Sequence, residues 1–272
     1  MAVAHDAVRH DAHAHIWRDP RHPDRVIPGV DGGVEALLAD MDAAGVARAA
    51  VITPRSMGWD DEITLEAARA HPVRLVAVVR CNLDDPDAAA RLEDAVAAGA
   101  RGLRIAADDG PLARLLDDDT IAVRAVLQRT GLPLALHAYP TDFDVLEQIL
   151  HALPGHPILL DHAGRPDVAA GTGEPGFRRV LAMTSHPGLH LKTPDVPFFT
   201  PANGTPGDLV PFLTAMLETF GPERVVWGSD WPLCVSAHAY AEVTAPVTDA
   251  LKPFSPAERA LVWSGNFDRL YG

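Results

Sequence analysis

The feature that most restricts this chain is a rhythm. Short apolar runs bounded by turn residues recur near residues 10–17, 49–53, 75–80, 102–105, 133–139, 157–163, 189–193 and 225–230, with starts 24 to 39 residues apart. One strand–helix–strand step consumes about 30 residues. Amphipathic stretches fill the intervals, for example Gly33 to Ala44, Asp61 to Ala70, Pro86 to Ala98, Ile121 to Thr130 and Thr141 to Leu153. Eight such steps in 272 residues predict an α/β chain closed as a (β/α)8 or TIM barrel rather than a doubly wound sheet. No linker-like composition break interrupts the pattern, so residues 1–272 are expected to form a single domain.

Charge and composition narrow the partners. The formal net charge of −14 argues against nucleic acid or an anionic membrane as partner and leaves a small-molecule substrate. The longest apolar stretches, such as Leu75-Val76-Ala77-Val78-Val79, fall far short of the roughly 18 residues a membrane-spanning helix needs. Met1 to Arg9 is polar and histidine-containing, unlike a secretory signal, so a cytoplasmic location is the expectation. Cys81 and Cys234 are too few for a disulfide framework and are expected to be reduced thiols. The state of association stays open between monomer and homo-oligomer.

Chemistry-bearing residues sit where the predicted strands end. The first run closes on Asp11-Ala12-His13-Ala14-His15, and residues two apart on a strand face the same side, so His13 and His15 can both face the lumen. The fifth run ends at His137 and the sixth at Asp161-His162. The eighth reads Val225-Val226-Trp227-Gly228-Ser229-Asp230, and barrel closure sets it beside the first. Four imidazoles and a carboxylate would then converge at the C-terminal mouth, where such barrels place their active sites. Two imidazoles with a carboxylate suit a divalent metal. A carboxylate can deprotonate water while a histidine polarises a carbonyl, which suits hydrolysis. The other histidines are expected to be solvated or capping residues, with His10 and His190 flanking strands.

Two proline-rich segments, Arg18 to Asp31 and Pro194 to Gly207, read as long loops on the same face. Specificity is expected in these and in loops 54–60 and 106–111. Lys192 is expected either to contact an anionic or carbonyl group or to form a salt bridge in the barrel mouth. Tyr139 is expected either to donate to substrate or to pack under the loops, and Trp17, Trp59 and Trp231 either wall the pocket or fill core. Gly171 to Gly176 matches the spacing of a dinucleotide-binding glycine motif, but it begins several residues after the sixth strand and reads as a loop.

Four segments carry a family resemblance: Asp11-Ala12-His13-Ala14-His15-Ile16-Trp17, Gly102-Leu103-Arg104, Leu160-Asp161-His162-Ala163-Gly164-Arg165-Pro166 and Trp227-Gly228-Ser229-Asp230-Trp231-Pro232. With them the chain resembles the amidohydrolase superfamily, and within it the lactonase branch, over nearly its whole length. The resemblance implies a lactonase in which Asp230 activates water and His162 faces the carbonyl. It implies one divalent metal, zinc or manganese, on His13, His15, His137 and Asp230, with a metal-independent mechanism as the alternative. It also implies that Arg104 and Arg165 hold substrate carboxylates, a role suited to bidentate guanidinium geometry.

Two departures bear on substrate. Lys192 is followed by Thr193-Pro194-Asp195 where the family tends to a Ser-Gly pair, and no second arginine follows Arg104, which speaks against a dicarboxylate pyrone. The competing expectations are a metal-dependent decarboxylase of the same superfamily and a catalytically silent ligand-binding barrel.

Overall fold

Eight parallel strands pair in chain order in a computed structural model that describes residues 8–272. They are β1 (Arg9–Ala14), β2 (Val46–Ile52), β3 (Leu75–Arg80), β4 (Ala100–Ala106), β5 (Leu134–His137), β6 (Ile158–Leu160), β7 (Leu189–Lys192) and β8 (Val225–Val226). Helices α1 (Val34–Ala44), α2 (Glu62–Ala70), α3 (Ala88–Ala97), α4 (Ile121–Thr130), α5 (Phe143–Ala152), α6 (Pro175–Ala182), α7 (Val196–Phe199) and α8 (Val210–Phe220) alternate with them. The ring closes through the segment after β8: Ala12 N donates to Trp227 O at 2.9 Å, Asp230 N to His13 O at 2.9 Å and His15 N to Trp231 O at 2.7 Å. The expected (β/α)8 barrel is therefore the fold.

Two apolar layers hold it. All six residues of β3 are buried, since a parallel strand covered on both faces needs no alternation. Outside the sheet, Leu37, Met41, Leu127, Ile149 and Leu217 pack the helices onto the strands. Inside, Ala12, Ala50, Ile52, Val76, Val78, Ala135, Leu159 and Val226 fill the lower lumen. Phe267 and Tyr271 of the C-terminal helix (Asn266–Tyr271) join that inner group and plug the barrel's foot. Burying each of these two rings contributes about 2–3 kcal/mol.

β1 carries the irregularity that matters most. Asp11 pairs with Ala49 and Ala14 with Val51, so β1 spends one more residue than β2 over this interval, a β-bulge. Below it Ala12 belongs to the inner layer, whereas above it Ala14 belongs to the outer one. The bulge thus shifts the alternation by one residue and turns His13 inward.

Several expectations need correction. β5, β6 and β8 are shorter than their apolar runs, so His162 lies in a turn after β6 and Asp230 four residues past β8. The segment 194–207 is not all loop, because Asp195 caps the single-turn helix α7 through Phe198 N at 2.9 Å. His10, His156 and His190 are buried rather than solvated; His10 packs edge-on against Phe267, and His156 Nε2 lies 2.9 Å from Leu132 O. Trp231 is core, with Nε1 donating to Asp40 Oδ2 at 2.8 Å. Cys81 and Cys234 are free and buried. Among the described residues no helix is long and apolar enough to cross a membrane.

Candidate active site

The turn after β6 and the segment after β8 share an unusual backbone. His162, Ala163 and Arg165 have φ of 51°, 51° and 62°, and Asp230 has 60°, which makes four of the five described non-glycine residues with positive φ. Each such residue costs about 1–2 kcal/mol. The concentration of strain beside titratable side chains marks the place where the fold holds geometry against preference. Gly228 serves the same place by being small, since a Cβ there would lie 2.8 Å from His13 Cβ.

Beneath the loops, three donor atoms form a near-equilateral triangle. His13 Nε2 is 3.1 Å from His15 Nε2 and 3.5 Å from Asp230 Oδ1, and His15 Nε2 is 3.2 Å from the same oxygen. A tetrahedral ion with bonds near 2.0–2.1 Å separates its ligands by about 3.3 Å, so the donors present fit a divalent metal. His15 Nδ1 lies 2.8 Å from Ile52 O, and a carbonyl only accepts, so Nδ1 carries the proton and Nε2 offers its lone pair inward. Burial, reinforced by Lys192, holds the His13 imidazole well below its ordinary value. Burial also pushes His162 and His137 down to about 4, so these rings are neutral near pH 7. Burial would raise Asp230, but His15, His13 and His162 packed around it hold it below the usual carboxylate range.

A second group shares Asp230. Ligand atoms of His162, Asp195 and Asp230 all lie within 4.8 Å of one another, with His162 Nδ1 3.6 Å from Asp195 Oδ2. His137, expected as the fifth-strand ligand, stands outside both groups. Its Nε2 faces Arg165 Nη1 at 3.1 Å, and its ring is 6.2 Å from that of His162.

Under the triangle lies a fully buried ion cluster. Asp161 binds Lys192 Nζ at 2.9 Å and Arg104 Nε at 2.8 Å, and its Oδ1 is 3.6 Å from His13 Nδ1. Burial alone would raise this carboxyl; Lys192, His13 and Arg104 bring it well below the usual range. Arg104, expected on substrate, is thus committed to a protein carboxylate, and Lys192, which has no exposed surface, takes the salt-bridge alternative of its two expected roles. Arg165 has no such partner among the described residues and lies 4.4 Å from the Phe198 ring centroid and 5.0 Å from that of Tyr139. Tyr139 donates to Asp108 Oδ1 at 2.7 Å.

Sequence reasoning passed over Asp11, Asp108, Asp109, Asp161 and Asp195. Asp11 accepts from His13 N and Ser229 N, both at 2.9 Å, from Ser229 Oγ at 2.5 Å and from Tyr240, so it fastens β1 to the segment after β8. Its position two residues before the first histidine of the His-Ala-His run was the one signal that could have found it.

A family model described as "Amidohydrolase" matches residues 10–272. A 2-pyrone-4,6-dicarboxylate hydrolase from Comamonas testosteroni is 29% identical over 82% of this chain and 76% of its own length. An L-fucono-1,5-lactonase from Burkholderia multivorans is 27% identical over 97% of this chain and 96% of its own. A solved structure of an amidohydrolase from Burkholderia multivorans, with zinc bound, superposes with a TM-score of 0.82 at 24% identity, covering 97% of this chain and 99% of that one.

Proposed function

The chain belongs to the amidohydrolase family, and from that premise we propose that it is a metal-assisted hydrolase opening a small lactone that carries carboxylate or hydroxyl groups. The observation that carries this reading is the triangle of His13 Nε2, His15 Nε2 and Asp230 Oδ1. The relatives named for lactone substrates support the same class.

A divalent ion, zinc or manganese, held by His13, His15 and Asp230 would supply Lewis-acid polarisation of the lactone carbonyl. Asp230 is the base. Both of its imidazole contacts fall on Oδ1, which leaves Oδ2 to take a proton from the attacking water. His162, neutral and buried, donates to the carbonyl oxygen. The water oxygen bonds to the carbonyl carbon, the ring C–O bond breaks, and Asp230 returns the proton to the departing alkoxide. The product is a hydroxy acid. Asp161, fixed by Lys192 and Arg104, orients His13 from behind, while Arg165 faces the substrate's anionic group.

The test is a panel of lactones followed with a pH indicator, with and without added zinc or manganese. Ring opening releases acid, and Asp230→Asn is expected to lower kcat by about 10²–10⁴-fold. His13→Ala is expected to lose the bound ion, read by elemental analysis. Release of CO₂ without ring opening would replace this reading with decarboxylation, and failure on every lactone would remove it.

A further inference from the structure

The mouth of the barrel holds more arginines than it can offer. Arg55 Nε contacts Asp109 Oδ1 at 3.1 Å, its Nη1 lies 3.5 Å from Asp108 Oδ2, and its Nη2 donates to Asp108 O at 3.0 Å. Arg80 pairs with Asp109 Oδ2, donates to Gly58 O at 2.6 Å and lies over Trp59. Arg104 is held by Asp161. Asp108 also accepts from Tyr139 and lies 3.7 Å from His137 Nδ1. Arg165, by contrast, has no carboxylate partner among the described residues. Phe198, Tyr139 and Phe199 surround it, with ring centroids at 4.4, 5.0 and 5.5 Å.

From this we infer that Asp108 and Asp109 act as a charge filter: they neutralise Arg55 and Arg80, so the site accepts a lactone with one anionic group, seated on Arg165, and rejects one with two. A second carboxylate entering beside the turn Ala107–Asp109 would meet two protein carboxylates whose cations are already engaged. Desolvating it without a free partner is unfavourable, and like charges at that range repel. A single carboxylate finds a planar two-pronged donor with aromatic walls. The inference rests on the lactonase reading for its ring, but on the ion pairs alone for its charge.

The experiment therefore separates binding from turnover. Three compounds share one ring: γ-butyrolactone, 5-oxotetrahydrofuran-2-carboxylate and 5-oxotetrahydrofuran-2,3-dicarboxylate. Their affinities for the metal-loaded protein are read by calorimetry, and hydrolysis is followed in parallel. The monocarboxylate is expected to bind about tenfold or more tighter than either neighbour. Arg165→Gln is expected to erase that preference. Asp109→Asn, which leaves Arg80 without its carboxylate and Arg55 with Asp108 alone, is expected to shift the ratio toward the dicarboxylate by about tenfold, and Asp109→Glu to restore it; thermal unfolding of each variant confirms that it is folded.

Equal affinity for the two acids, an unchanged ratio in Asp109→Asn, or no measurable binding of the monocarboxylate overturns the filter. The expected binding order without hydrolysis overturns the lactonase reading instead and leaves the filter standing. Hydrolysis with a flat binding order does the reverse.

Discussion

Gly228 and Asp11 show how little room the centre leaves to a single residue. A methyl group at Gly228 would press on His13 Cβ at 2.8 Å, with backbone N of His13 also within 3.4 Å, so the ring cannot simply rotate away. Gly228→Ala is expected to lower metal affinity by at least about tenfold, because displaced ligand geometry typically costs 10–100-fold; competition with a chromogenic chelator measures it. Asp11→Ala strands buried donors from Ser229, Tyr240 and the backbone, and is expected to lower unfolding free energy by about 3 kcal/mol in urea titration. His162 and Asp230 were legible because each follows an apolar run whose strand had to end in the mouth, and His13 and His15 because they alternate on the strand that closure sets beside the eighth. Asp161 and Asp109 were not: their partners Arg104, Arg80 and Arg55 lie 29 to 57 residues away, and an acid in a loop looks like an ordinary cap.

At the scale of elements, strand and helix existence followed from apolar periodicity, while strand ends did not. An apolar run continues past the last ladder hydrogen bond when the residues beyond it are also buried, as Trp227 and Ala163 are. The bulge in β1 is equally silent in sequence, since His-Ala-His alternates correctly on either phase; only pairing with β2 decides which phase faces in. Helix α7 was hidden by its two prolines, Pro194 and Pro197, the second of which sits in the helix's first turn where its missing N–H costs nothing. That helix carries Phe198, 56% exposed, over Arg165. Phe198→Ala should remove an exposed cation–π contact worth about 0.5–1 kcal/mol. The expected outcome is a KM for an anionic lactone raised about three- to fivefold with kcat unchanged; a fall in kcat instead would place Phe198 closer to the reacting atoms.

Across the whole molecule, burial of neutral imidazoles links the site to acid stability. His162 and His137 titrate near 4 when folded and near 6.5 when unfolded, so between these values the unfolded chain binds more protons. Stability of the chelated protein is therefore expected to be fully present above about pH 6.5 and to fall toward pH 4, by at most about 3 kcal/mol per histidine. Asp61, pushed up to about 6 by burial, acts oppositely between about 4 and 6, so the net loss is expected to be steepest at about pH 5.5–6 and to flatten below. Thermal unfolding across this range, with His162→Gln flattening the slope, checks it. The barrel itself was the most legible level, because eight spaced repeats leave few other closures, whereas the ion pairs that join distant loops depend on the finished ring.

Phe267 and Tyr271 give the molecule a floor. The lumen is a cup with one rim, not a tube, so whatever enters must leave by the way it came. A hydroxy acid just formed occupies the very threshold the next molecule needs. Its accumulation should therefore slow the enzyme by direct competition, visible as lines that intersect on the ordinate of a double-reciprocal plot.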